Sequence, residues 1–244
     1  MQKLAKGIHS FQSGYFATHR QLFEQLATAG QKPETMFITC SDSRVVPNLI
    51  TDAAPGELFL IRNVGNVVPP PTLPGGTAAA MEYAVEVLGV ENVIVCGHTQ
   101  CGAIQAILHP ETVAHLPYVS RWVDGATTLK SILADRYGDL SGEELATAAV
   151  QENVLLQVEH LRQFEFIESR LVAGTLHISA WVFKIGTGQV FDYDPDLCEF
   201  FELASELRAG ADGAFEADDG AETPGAFEKL AVGGGDTGDA FGGG

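Results

Sequence analysis

Basic residues are scarce in this chain. Lys and Arg number 14 against 32 Asp and Glu, a formal charge of −18 over 244 residues. That balance excludes nucleic acid and anionic membrane surfaces as natural partners. Cysteine is sparse as well, and four in a chain of this length make no disulfide scaffold. The opening Met1-Gln2-Lys3-Leu4-Ala5-Lys6 has no apolar secretory core, and no apolar run reaches the roughly 20 residues a membrane span requires. No period of the solenoid kind is present. The expectation is a cytoplasmic protein with free thiols and one sizeable core domain with additions.

Reactive side chains concentrate at two places. The apolar run Met36-Phe37-Ile38-Thr39 has the length and composition of a buried strand and ends in Cys40-Ser41-Asp42-Ser43-Arg44, before Pro47. A thiol at a strand end, with a carboxylate and a guanidinium each two residues further on, makes a compact cluster. The second run, Asn92-Val93-Ile94-Val95-Cys96, is expected to break at Gly97 and lead into His98-Thr99-Gln100-Cys101-Gly102. Ligands at the carboxyl ends of neighbouring parallel strands converge. Cys40, His98 and Cys101 would then form a thiolate–imidazole–thiolate set, which suits zinc and leaves one position open, as a catalytic zinc requires. Cys96 competes with Cys101 as a ligand, but it lies within the apolar strand and reads as a small buried hydrophobe.

Cys-Ser-Asp-Ser-Arg followed downstream by Gly-His-x-x-Cys-Gly resembles the β-class carbonic anhydrases. Arg62-Asn63-Val64-Gly65-Asn66 and Glu82-Tyr83-Ala84 are similar to that family's intermediate motifs. The resemblance covers roughly residues 1–193. Tyr15-Phe16, His19-Arg20 and Leu22-Phe23-Glu24-Gln25 resemble in particular the carboxysomal branch.

The resemblance implies one Zn2+ per chain and reversible hydration of carbon dioxide to bicarbonate by zinc-bound hydroxide. Asp42 would orient the hydroxide and Arg44 would hold Asp42. Asp42 released by Arg44 would become a fourth zinc ligand in a closed form. Gln31, Phe59, Tyr83 and Gly102 fall where the family binds substrate, with Phe59 lining the neighbouring subunit's pocket. Phe37 and Phe183 stand where relatives with a non-catalytic bicarbonate pocket carry tryptophan and tyrosine. A homodimer or higher homo-oligomer is implied, with a carboxysomal location. The alternatives are a zinc-stabilised scaffold without catalysis, or a hydrolase of carbonyl sulfide or carbon disulfide on the same fold. The intact Asp42–Arg44 pair argues against a scaffold, which needs only the ligands.

The remaining chain reads as α/β: a central, mostly parallel sheet flanked by helices. Leu4, Ile8, Phe11, Phe16, Leu22, Phe23 and Leu26 recur at helical spacing. They predict an N-terminal arm of two helices over about 1–30, broken near Gly14. Helices are also expected from Thr77 to Leu88 and from Leu145 to Phe164, the latter opened by Ser141-Gly142-Glu143-Glu144. Leu176 to Phe183 and Gln189-Val190-Phe191 predict a hairpin at the sheet edge. Cys198, beside Phe200 and Phe201, reads as packing. From Ala209 the composition shifts to Gly and Ala with eight acidic residues against Lys229. It predicts a disordered tail over 209–244 after a catalytic domain of 1–208. Phe215, Phe227 and Phe241 are its candidate contacts for a microcompartment partner.

Overall fold

A computed structural model describes residues 1–73 and 75–203; the predicted tail lies outside the described residues. The chain opens with helices α1 (Gln2–Ser13), α2 (Tyr15–Thr18) and α3 (Arg20–Ala29). The break foreseen at Gly14 is present, and a second at His19 makes three helices of the expected two. None of the three buries a residue. The rings of Phe11, Tyr15, Phe16 and Phe23 pack on one another instead, and Tyr15 stacks on His19 at 4.0 Å. Phe11 and Tyr15 are each 43% exposed, while Phe16 and Phe23 are half-buried.

The body is a single six-stranded sheet. Its strands are β1 (Thr35–Cys40), β2 (Leu58–Asn63), β3 (Asn92–His98), β4 (His177–Phe183), β5 (Val190–Asp194) and β6 (Glu199–Glu202), in the order β2-β1-β3-β4-β5-β6. The first four are parallel, and β5 and β6 are antiparallel. Strand β1 is buried along almost its whole length, as a central parallel strand must be. Its residues alternate between two apolar clusters: Met36, Ile38 and Cys40 join the main core, and Phe37 joins Val45, Cys96 and Phe183 on the other face. The two phenylalanines at the bicarbonate-pocket positions are thus part of an apolar cluster.

The connecting helices are α4 (Pro47–Ile50), α5 (Gly76–Glu82), α6 (Gly102–Leu108), α7 (Pro117–Asp124), α8 (Thr127–Arg136), α9 (Gly142–Arg162) and α10 (Glu165–Val172). After α5 the chain winds one wider, π-helical turn over Tyr83–Leu88. Among the described residues no helix is long and apolar enough to cross a membrane.

Three expectations are corrected. The β4–β5 hairpin is not the sheet edge, because β6 adds a further strand beyond it; its Glu-Phe-Phe-Glu is too short for a legible alternation. Cys198 is exposed and adopts φ +56 in the turn before β6, its thiol directed at the Pro195 carbonyl, and is not packed in the interior. Strand β3 does not break at Gly97 but runs on to His98.

The glycine is there for α9, which lies across β3 and β4. A Cβ at Gly97 would meet Val154 Cγ2 at 2.6 Å and Val150 Cγ1 at 3.2 Å. Gly97→Ala is therefore expected to destabilise the protein by about 1–3 kcal/mol, the cost of overpacking a filled core. Urea denaturation measures it. The loss should shrink in a Val154→Ala background, because the two sites share one space. An unchanged midpoint for Gly97→Ala would contradict this packing.

Candidate metal centre and active site

Strand order reverses at β1: β2 lies on one side of it and β3 on the other. At such a switch the connections leave in opposite directions and open a crevice beyond the carboxyl ends of the strands. Thr39 is level with Cys96, so Cys40 and His98 arrive at that crevice from adjacent strands. Cys101 follows His98 by three residues, immediately before α6. The ligand atoms of Cys40, His98 and Cys101 all lie within 4.8 Å of one another, and all three side chains are buried.

The geometry tests what the cluster can hold. The two sulfurs are 3.9 Å apart. That is far beyond a disulfide and close to the roughly 3.8 Å between two tetrahedral corners around a zinc with 2.3 Å bonds to sulfur. His98 Nδ1 lies 2.9 Å from the Thr99 carbonyl. A carbonyl only accepts, so Nδ1 carries the proton and Nε2 presents its lone pair, as a metal-ligating imidazole does. Nε2 is buried and has no hydrogen-bond partner, an arrangement that is costly unless something binds there. The donor set and the orphaned nitrogen fit a metal ion.

Hydrogen bonding from the Cys101 thiol, then from the Gly65 amide, holds the Cys40 thiol well below the usual thiol range despite burial. Cys101, sharing its proton with Cys40 and also buried, is pushed up. Cys96 donates to the Gly97 carbonyl, and desolvation pushes its thiol up to about 12. It behaves as the buried hydrophobe expected and takes no part in the cluster.

Asp42 and Arg44 meet beside the cluster. Arg44 Nε donates to Asp42 Oδ1 at 3.0 Å, Nη2 donates to Oδ2 at 2.8 Å, and the Arg44 amide adds a bond to Oδ1 at 2.9 Å. The Arg44 side chain, then its amide, holds the Asp42 carboxyl well below the ordinary carboxylate range. Asp42 Oδ2 lies 3.9 Å from His98 Nε2, within reach of whatever that nitrogen binds.

Two further groups shape this loop. Arg62, on β2, donates from Nε and Nη2 to the Cys40 carbonyl and from Nη2 to the carbonyls of Asp42 and Val45, at 2.7–3.1 Å. Gly65 places its amide on Cys40 Sγ at 3.4 Å. It does so at φ +81, with Ala103 Cβ 2.8 Å from where a side chain would begin. Asn153 on α9 donates to the Gly65 carbonyl, Gln157 donates to Asn153, and the Val68 amide donates to Gln157. This buried polar row was hidden in a helix whose sequence advertises an apolar face. Its signal was amide side chains at i and i+4, Asn153 and Gln157.

The remaining candidates are distributed unevenly. Gly102 opens α6 directly after Cys101 and is exposed. Gln31 lies exposed on the link between α3 and β1. Phe59 is level with Met36, whereas Asn63 is level with Cys40. Four residues of strand, about 13 Å, therefore separate Phe59 from the cluster end of the sheet. Tyr83, 45% exposed, has its ring 6.3 Å from that of Phe59. One chain brings Cys40, His98, Cys101, Asp42 and Arg44 together, with Gly102 beside them. It leaves Phe59 at the far end of β2 with Tyr83 beside it, and Gln31 before the start of β1.

The sequence profile of the family described as carbonic anhydrase matches residues 35–190. A carbonic anhydrase of Synechocystis sp. is 44% identical over 211 residues, which cover 86% of this chain and 77% of the relative. The solved structure of the β-carbonic anhydrase CcaA superposes with a TM-score of 0.80 at 44% identity, over 83% of this chain and 91% of that one. A chain from two tetrameric β-carbonic anhydrases of the ascomycete Sordaria macrospora superposes with a TM-score of 0.71 at 26% identity, over 79% and 97% of the two chains. The chain belongs to the carbonic anhydrase family, in its β class. It is a lyase that hydrates carbon dioxide reversibly to bicarbonate and a proton.

Proposed function

We propose that this hydration takes place at the crevice beyond β1 and β3, with zinc held by Cys40, His98 and Cys101. The observation that carries the reading is the buried, unpartnered His98 Nε2 facing two free cysteine sulfurs and the Asp42 carboxylate. Zinc bound there would supply a nucleophile by lowering the pKa of a coordinated water from about 15.7 towards 7, less far where two anionic thiolates add charge.

The chain's own residues do the rest. Asp42, kept ionised by Arg44, only accepts hydrogen bonds, so it would orient towards itself an O–H placed beside the cluster. Arg44 holds both carboxylate oxygens and would thereby keep Asp42 from ligating a metal bound at the cluster. The Gly102 amide, directly after Cys101, donates to a product oxygen. The Arg62 and Gly65 contacts hold the loop that carries Cys40 and Asp42.

Gln31, Phe59 and Tyr83 serve a pocket formed with a second copy, in a homodimer or a multiple of one. Their distance from the cluster within one chain and the uncovered aromatic arm both support this. The catalytic unit is assigned to residues 1–208. Cutting after Arg208 should leave hydration kinetics nearly unchanged, since the Gly-rich, acidic composition beyond it offers no periodic apolar face. A large loss of turnover would move that boundary.

Zinc analysis combined with stopped-flow carbon dioxide hydration tests the central reading, with carbonyl sulfide as a competing substrate. One zinc per chain, rapid hydration and little turnover of carbonyl sulfide are expected. A fully zinc-loaded protein that does not hydrate carbon dioxide would refute it.

A further inference from the structure

Arg44 is bound by more than Asp42. Its Nη1 donates to Gln100 Oε1 at 3.2 Å and its Nη2 donates to the Gln100 backbone carbonyl, also at 3.2 Å. The guanidinium is thus held on two sides, by the carboxylate from the first motif and by Gln100 from the second, 56 residues away.

Gln100 adopts φ +57, a left-handed conformation that a residue with a Cβ takes at a cost. A strained residue persists where its surroundings over-determine it, and here they do. The preceding Thr99 donates its amide to the Phe183 carbonyl at 3.0 Å, accepts from the Ile185 amide on Oγ1 at 3.1 Å, and receives His98 Nδ1 on its carbonyl at 2.9 Å. Cys101 follows at once and is buried in the cluster. Gln100 is therefore carried on the same short, pinned loop as two of the three candidate ligands.

The consequence concerns the mouth of the site, where the Arg44 side chain is 45% exposed. A carboxylate and a guanidinium bonded only to each other can swing as one unit, and nothing in their mutual bonds sets their distance from the cluster. Gln100 supplies that reference. We infer that Gln100 is a positioning residue, which anchors Arg44 to the ligand loop and through it keeps the Asp42 carboxylate out of the fourth metal position. The inference rests on the reading of Asp42 and Arg44 given above. It adds a residue outside the metal-ligating group.

The test compares Gln100→Ala, Gln100→Asn and Arg44→Ala. Asparagine tolerates the left-handed conformation but is one methylene too short to reach Nη1, so it keeps the loop and loses the side-chain contact. Each Gln100 variant is expected to keep one zinc per chain and to lose about tenfold in kcat/KM, the size of one hydrogen bond to a charged group. The independent readout is the visible spectrum of the cobalt-substituted protein, which reports what fills the fourth position. It should move in both Gln100 variants in the direction taken by Arg44→Ala. Wild-type spectra in both Gln100 variants, with that of Arg44→Ala displaced, would overturn the inference. A wild-type spectrum in Arg44→Ala as well would instead overturn the Asp42–Arg44 reading beneath it.

Discussion

Cys101→Ala should abolish zinc binding and lower carbon dioxide hydration by well over a hundredfold, and Cys40→Ala should do the same. Losing an outer partner of a metal ligand already costs about 10–100-fold in affinity or activity, and these changes remove a ligand itself. The informative control is Cys96→Ala. Cys96 is as deeply buried as either candidate ligand, but its sulfur donates to the Gly97 carbonyl and sits in the small cluster with Phe37 and Phe183. Its replacement removes one small apolar group and should cost about 1 kcal/mol of stability, with metal and activity retained. Metal analysis by plasma emission, beside stopped-flow rates, decides. Loss of zinc in Cys96→Ala together with its retention in Cys101→Ala would show the ligand assignment to be wrong.

Arg44→Ala is expected to reduce hydration by about ten- to a hundredfold while zinc stays at one per chain. Arg44 is not a candidate ligand, so stoichiometry has no reason to change. What changes is the competition for one coordination position. The carboxylate now held by two side-chain bonds and one amide bond from Arg44 loses the first two. Its Oδ2 is already 3.9 Å from His98 Nε2. A double-mutant cycle with Asp42→Asn separates this effect from general damage. Once the carboxylate is gone there is nothing left to compete, so Arg44→Ala should add little to Asp42→Asn. Fully additive losses, or near-normal activity in Arg44→Ala, would remove the gate from the mechanism.

Some of this site was legible because its chemistry is local in sequence. Asp42 and Arg44 are two residues apart, and a bidentate bond between them needs no distant help. His98 and Cys101 are three apart across the turn that follows a strand. The helix over Gly142–Arg162 was readable from its start signal and its apolar recurrence, because those depend on a repeat of a few residues. The polar row on the same helix was not. Asn153 and Gln157 become binding groups only when the loop carrying Gly65 and Val68 is folded beside them.

By itself the sequence determined the residue types of a candidate metal centre, the two strands that lead to them, and the Asp–Arg pair next to them. It did so because strand periodicity and short turns are set by neighbours along the chain. Only the tertiary structure decided that Cys40 meets His98 and Cys101, about 60 residues away along the chain, with their ligand atoms within 4.8 Å of one another. The same holds for Arg62, whose guanidinium finds carbonyls 17 to 22 residues away, and for Gln100, whose partner is 56 residues away. Such contacts arise from the order in which strands lie side by side. Here β1 lies between β2 and β3, and that juxtaposition turns two separate motifs into one site.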